Sequence, residues 1–213
     1  MKTAIITRFH YKENDPRFDF RLSYFKNAVL PRILKQADDD FDICIWCEPC
    51  HDEIFKSLSE KIKVFHAKRE AVFYETSGKN GKTYYYDFVD FSELEGLEKY
   101  DLQIGLDSDD LVDENYVAMI KDCISKDGGE RPLHIHFQPE SINVRTGQVG
   151  FLGNYGPTRG SAFMALYQPD KRDYKFIYHR SHITLMEGFD KSILLPKGHC
   201  WASIHSYNES TGK

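Results

Sequence analysis

Three carboxylates fall within four residues at Asp107-Ser108-Asp109-Asp110. They follow Leu102-Gln103-Ile104-Gly105-Leu106, an apolar run that reads as a buried strand. If the backbone stays extended through them, Asp107 and Asp109 point the same way. Crowded like charges repel one another, so a cation or a positive partner is expected there. Hard oxygen ligands suit Mg²⁺ or Mn²⁺, ions that keep several waters and bridge substrate phosphates. An EF-hand fails on spacing: a loop opened at Asp107 puts Val112 at the turn glycine and Ala118 at the bidentate glutamate. The four residues alone leave a second reading open, a solvated acidic turn in which Asp110 or Asp113 caps the next helix.

Cysteine spacing offers other chemistry. Cys44, Cys47 and Cys50 are each separated by two residues, and Cys47-Glu48-Pro49-Cys50-His51 spells the haem-attachment pattern C-x-x-C-H. Covalent haem requires export, and Met1 to Arg8 is too short in apolar residues for a leader. A zinc site would need a fourth ligand, and no second C-x-x-C pair follows. The expectation is therefore five reduced thiols, several of them buried. His134 and His136 would share one strand face and read as ordinary strand residues.

The elements that must position these groups alternate between two periods. Thr3 to Phe9 reads as a buried strand. Phe20 to Gln36 reads as a helix, with Leu22, Phe25, Val29 and Ile33 recurring every three or four residues; Pro31 predicts a kink near Val29-Leu30. Phe41 to Trp46 is a second strand, His51 to Ile62 a short helix, and Lys63 to Ala67 a third strand. Residues 75 to 83 read as a polar loop, and Tyr84 to Val89 fits helix or strand equally. Asp113 is the expected N-cap of a helix carrying Tyr116, Val117, Ile120, Cys123 and Ile124 on one face. Beyond it, Leu133 to Phe137 and Ser141 to Val149 read as a pair of strands, and Ser161 to Tyr167 as a further one. Strands alternating with helices imply a three-layer α/β sandwich around a mainly parallel sheet.

Composition narrows the function. With 213 residues, 41% hydrophobic and 14% aromatic, the chain suits one domain with a substantial core. A net charge of -5 without a basic face argues against nucleic acid as a partner. No run is long enough to span a bilayer, so a soluble cytoplasmic protein without membrane insertion is expected.

Leu106-Asp107-Ser108-Asp109-Asp110 after a buried strand resembles the metal-binding signature of GT-A glycosyltransferases. The chain resembles more specifically the rhamnosyltransferase family of bacteria and phages. Three islands carry that likeness. The first is Thr7-Arg8-Phe9, followed by Arg21 and Leu30-Pro31-Arg32-Ile33-Leu34-Lys35-Gln36. The second is Gly105 to Asp110, and the third Gly198-His199-Cys200-Trp201-Ala202-Ser203-Ile204-His205-Ser206-Tyr207-Asn208. Arg69 to Tyr86 departs from the Asn-and-Arg pattern of better-known inverting relatives. The resemblance implies a GT-A-like fold in which residues 1–126 bind the nucleotide sugar and 127–213 build the acceptor side.

It also assigns roles. Asp109 would be the direct ligand of Mn²⁺ or Mg²⁺, and His205 a further ligand. Asp107 would contact the donor ribose directly or through the metal, with Ser108 beside it. Thr7 and Arg8 would line the nucleotide pocket, Arg8 or Arg21 would grip the diphosphate, and Cys47 and Glu48 would touch base or ribose. Arg21 also fits an exposed helix position.

The reaction implied is transfer of a sugar from a nucleoside-diphosphate-sugar to a glycan or other hydroxyl acceptor, with inversion; rhamnose is the family's label. Inversion needs a carboxylate base, for which Glu187 and Asp190 are the candidates, with His179 and His182 behind them. Replacing Asp109 with Asn is expected to abolish metal-dependent nucleotide binding with little loss of fold. A nucleotidyltransferase should carry a Gly-rich loop after strand one, where Phe9 to Pro16 has no glycine. A metal-dependent phosphohydrolase would need more His and Asp at strand ends. A non-catalytic, metal-dependent carbohydrate-binding module is the remaining alternative.

Overall fold

The computed structural model describes residues 1–9, 15–66, 96–151, 163–170, 177, 189 and 191–204. For 72–77 and 83–88, and at 151 and 204, it describes the backbone alone. In chain order the elements begin with β1 (Thr3–Phe9), α1 (Pro16–Tyr24), a π-helical turn (Phe25–Val29), α2 (Leu30–Leu34) and β2 (Asp42–Cys47). A 3-10 turn (Pro49–His51), α3 (Asp52–Lys56), β3 (Ile62–Phe65), β4 (Val72–Ser77) and β5 (Thr83–Phe88) follow. Then come β6 (Leu102–Gly105), β7 (Leu111–Val112), α4 (Tyr116–Lys126), β8 (Leu133–Phe137), β9 (Glu140–Asn143) and β10 (Val149–Phe151). The last described elements are β11 (Met164–Tyr167), β12 (Ser192–Leu195) and β13 (Cys200–Ile204).

The central sheet has seven strands in the order β12-β8-β11-β6-β1-β2-β3. All its pairs are parallel except those of β11, which runs antiparallel to β6 on one side and β8 on the other. Alternation along each strand sorts side chains to two faces. Ile5, Phe9, Ile43, Ile45, Leu102, Ile104, Leu133, Ile135 and Phe137 meet the helices through Phe25, Val29, Ile33, Phe55, Val117 and Ile120. The other face, with Ala4, Ile6, Cys44, Trp46, Met164 and Leu166, packs on Leu97, Tyr100 and Ile177. Among the described residues the helices therefore lie on one face. This is the mixed α/β, mostly parallel architecture expected from the strand-helix alternation.

Local details differ from the sequence reading for physical reasons. The first helix starts at Pro16, because Asp15 caps it: the Asp15 carboxylate accepts from the Arg17 N–H at 2.9 Å, and Pro at the first position lacks only an N–H that would have had no partner. Arg17 also holds the Asp15 carboxyl down at about 2. Pro31 cannot donate and crowds the carbonyl four residues back. The chain answers with the π-helical turn, in which the Leu30 N–H reaches back to the Phe25 carbonyl. The expected break thus becomes a widened turn that keeps Phe25, Val29, Leu30 and Ile33 all buried.

The predicted helix over 51–62 shrinks to the 3-10 turn and α3. The predicted loop over 75–83 is wrong at both ends: β4 and β5 form an antiparallel pair with Ser77 opposite Thr83. Tyr84 to Tyr86 is extended, as aromatic β propensity favours. Strands β8 and β9 do not pair with each other; β9 joins a second, four-stranded sheet of order β10-β9-β13-β7.

The cap predicted at Asp113 is also corrected. Helix α4 begins at Tyr116 after Asn115, and its Val117 N–H donates to the side-chain oxygen of Gln36 at 2.9 Å. The Gln36 amide in turn donates to the Asp113 carbonyl at 2.5 Å. A residue just past the end of α2 therefore caps the helix that follows the acidic turn. No described helix is long and apolar enough to cross a membrane.

Candidate functional site

Strands β1 and β6 run parallel, and both leave the sheet at the same edge, the end where open α/β sheets bind ligands. Leu106 still donates to the Ile6 carbonyl at 3.1 Å, so the acidic segment begins in register with β1. The chain then turns, with the Asp110 N–H donating to the Asp107 carbonyl at 3.1 Å. That turn separates the three carboxylates by environment.

Asp107 faces outward, with a side chain 37% exposed, and meets the Arg8 guanidinium at 3.2 Å. Asp109 turns inward and is buried against the guanidinium of Arg21, itself nearly buried. Asp110 is buried as well, and its carboxylate accepts from the Ser203 N–H at 3.2 Å. Burial, followed by the charges of Asp109 and Asp107, pushes the Asp110 carboxyl well above its ordinary value. Ser108 is buried within the turn.

Two further elements close on this turn. Helix α1 supplies Arg21, and Tyr24 one turn later shares a hydrogen bond with the Ser203 hydroxyl at 3.0 Å. Burial raises the Tyr24 hydroxyl above its ordinary range. Strand β13 pairs with β7, directly after the acidic turn, through Cys200 opposite Val112 and Trp201 opposite Leu111. The His199 carbonyl accepts from the Asp113 N–H at 3.0 Å, and the His199 ring donates to the Asp113 carboxylate at 2.6 Å. The three sequence islands thus meet in space.

Of the residues singled out in the sequence, Arg8, Arg21, Asp107, Ser108 and Asp109 gather at this edge. Thr7 points into the helix-side layer, fully buried, and its hydroxyl has no partner among the described residues. Glu48 follows β2 one strand further along the same edge. Arg21 is not the exposed helix residue its position alone allowed. His205, Glu187, Asp190, His179 and His182 lie outside the described residues. Ser203, however, shows that the strand leading to His205 passes Asp110. Sequence reasoning missed Tyr24 and Ser203; the helical step from Arg21 to Tyr24 was the available signal.

His134 and His136 are buried away from this edge. The His134 ring shares a hydrogen bond with the Ser192 hydroxyl at 2.9 Å, and burial pushes it down to about 4. They are core residues, as the strand pattern suggested.

Comparison with known proteins agrees with this fold. No curated protein sequence matches the chain. Among solved structures, S. aureus TarS 1–349 in complex with UDP-GlcNAc superposes with a TM-score of 0.54 at 12% identity, over 98% of this chain and 60% of that one. The same TarS fragment in complex with UDP gives 0.56 at 15% identity, over 96% and 61%. The chain therefore spans about 60% of the TarS fragment, and the likeness concerns the fold. Residues 2–213, nearly the whole sequence, match the family described as "putative rhamnosyl transferase". The chain belongs to that glycosyltransferase family, with the acidic turn after β6 and the basic side chains of β1 and α1 gathered at one sheet edge.

Proposed function

We propose that this protein transfers a sugar from a nucleoside-diphosphate-sugar to a hydroxyl acceptor, with Mn²⁺ or Mg²⁺ bound at the acidic turn. The observation that carries the reading is the meeting of Arg8, Arg21 and Asp107 to Asp110 at the carboxyl ends of two parallel strands. Such an edge can hold a diphosphate and a divalent ion together: guanidinium groups bind phosphate oxygens and carboxylates bind the ion. The donor set fits a hard cation. Asp107 is accessible, and its pair with Arg8 is an exposed one worth at most about 1 kcal/mol, so an ion or a diphosphate exchanges with it readily.

Asp107, Asp109 and His205 are the proposed ligands, with Ser108 beside Asp107 and Glu48 toward the ribose or base. Thr7, expected to line the nucleotide pocket, is fully buried on the helix side of β1 and is not part of it. The bound ion would supply Lewis-acid stabilisation of the departing diphosphate. Arg8 would leave Asp107 and take a phosphate oxygen, while Arg21, buried on Asp109, would hold that carboxylate in place. Glu187 or Asp190 is proposed as the base that takes the acceptor proton, giving inversion.

The donor sugar is not fixed by these residues. The family's description names rhamnose, whereas the TarS complex contains UDP-GlcNAc. Thermal unfolding with UDP, dTDP, GDP and CMP, each with and without Mn²⁺, tests the reading. A ligand at 100 times its Kd adds about 2.7 kcal/mol, roughly 5–10 °C here. A shift needing both Mn²⁺ and one nucleotide, and lost in Asp107→Ala, supports transfer. A shift from Mn²⁺ or Ca²⁺ alone, with none from any nucleotide, refutes it in favour of a metal-dependent carbohydrate-binding module.

A further inference from the structure

Within the C-x-x-C-H segment Glu48 alone enters the proposed transfer, and the fold gives the segment's first cysteine neighbours of its own. Cys47 ends β2, Asp52 opens α3, and His66 directly follows β3. Their potential ligand atoms, the Cys47 Sγ, a carboxylate oxygen of Asp52 and a ring nitrogen of His66, all lie within 4.8 Å of one another. The Cys47 Sγ is 4.0 Å from Asp52 Oδ1. Cys47 is buried, Asp52 half-buried and His66 exposed on its outer side, so the cluster opens to solvent on one flank.

The hydrogen bonds of His66 are the informative feature. Its Nδ1 sits 3.1 Å from the Cys47 carbonyl oxygen. A carbonyl only accepts, so Nδ1 carries a proton and Nε2 is the basic nitrogen of the neutral ring. Nε2 in turn sits 3.1 Å from the Asp52 carboxylate, which also only accepts. Two acceptors face each other there unless a positive charge lies between them. That charge is either a second proton on the ring or a metal ion. An imidazole fixed by Nδ1–H donation to a backbone carbonyl, with its basic Nε2 left for another partner, is the usual posture of a metal-ligating histidine. Here Nε2 faces a carboxylate that itself lies beside the Cys47 thiol.

We propose that Cys47, Asp52 and His66 form a binding site for a thiophilic divalent cation, Zn²⁺ above all, separate from the acidic turn. Zinc accepts sulfur, imidazole nitrogen and carboxylate oxygen together, and three protein ligands leave a fourth position for water. Tetrahedral ligands at about 2.0–2.3 Å from zinc stand roughly 3.3–3.8 Å apart, so the cluster must contract by about 1 Å. Binding releases the Cys47 thiol proton to solvent, together with the Nε2 proton wherever the ring carries one. Burial and the Asp52 charge push that thiol up to about 12 without metal, so affinity rises with pH. Lys56, 3.1 Å from Asp52, is the competing cation and must swing aside. The bound ion would tie the 3-10 turn and α3 to the end of β3.

Titration of the full chain with Co²⁺ tests this directly. One equivalent should produce thiolate-to-cobalt charge-transfer absorption in the near ultraviolet, and Zn²⁺ should erase it. The band should be lost in Cys47→Ser and retained in Cys50→Ser. In His66→Gln, Co²⁺ affinity should fall at least tenfold, since even second-shell losses cost about 10–100-fold. A wild-type protein without the band, or a band that survives Cys47→Ser or disappears with Cys50→Ser, overturns the proposal. Should Cys47→Ser fail to fold by circular dichroism, His66→Gln decides: unchanged affinity there refutes the site.

Discussion

The buried pair of Arg21 and Asp109 predicts that the acidic turn cannot be neutralised without cost. Both side chains are at most 10% exposed. The Arg21 Nε has no partner among the described residues, so the guanidinium depends on Asp109 for much of its compensation. Asp109→Asn keeps the shape and removes the charge, leaving a buried cation. Breaking such a pair from one side costs about 3–5 kcal/mol. Asp110 lies close enough to feel Arg21 and would ionise more readily once Asp109 is gone, which places the loss toward the lower end. At about 2–4 °C per kcal/mol for a chain of this size, melting should fall by roughly 6–12 °C.

Circular dichroism melts and urea unfolding of Asp109→Asn, Arg21→Met and Arg21→Met/Asp109→Leu measure this. The double variant should regain most of the loss, because an apolar pair needs no compensation, and the cycle should show coupling of about 2 kcal/mol or more. If Asp109→Asn unfolds within about 1 kcal/mol of wild type, the pair is not a buried ion pair in solution and the reasoning fails. The sequence alone suggested that this substitution would spare the fold; the position of Arg21 reverses that expectation.

Three further outcomes follow from groups described above. His134 folds with its pKa pushed down to about 4 by burial, against about 6.5 unfolded, so the unfolded chain binds the extra proton between those values. Stability should therefore fall as pH drops from about 6.5 toward 4, by up to roughly 3 kcal/mol, and urea midpoints should show a weaker slope in His134→Asn. Gln36→Leu leaves the buried Val117 N–H without its acceptor and should cost about 1–3 kcal/mol in urea unfolding. Asp110→Asn retains an oxygen for the Ser203 N–H and removes a penalised charge, so its melting temperature should equal or exceed that of wild type at pH 7.

What the sequence disclosed was local. Asp107 to Asp110 stood out because an apolar strand runs straight into them, and strand-helix alternation was enough to anticipate a mostly parallel sheet. What it concealed was pairing at a distance. Arg21 fitted an exposed helix position until the fold buried it on Asp109. Gln36 gave no sign of capping a helix that starts far downstream, and Asp113 was the nearer, plausible cap. Cys47 was weighed with its near neighbours Cys44, Glu48, Cys50 and His51, whereas the fold sets it beside Asp52 and His66. The β4–β5 pair was missed because polar residues in the middle of 75–83 outweighed the aromatic ones beside them.

Strand β11 has a consequence for synthesis of the chain. It supplies the antiparallel seam between β6 and β8, so the β3-β2-β1-β6 half of the sheet ends on an unpaired β6 until residues 164–167 arrive. On the ribosome that edge, with Leu102 and Ile104 destined for full burial, waits for about sixty residues, or roughly 3–12 s at 5–20 residues per second. An open strand edge invites pairing with another chain. Nascent chains stopped just before β11 should therefore associate or recruit chaperones, and those stopped after it should do so less. The fold's exposure to misassembly is concentrated in the interval when half of its sheet is waiting for its seam.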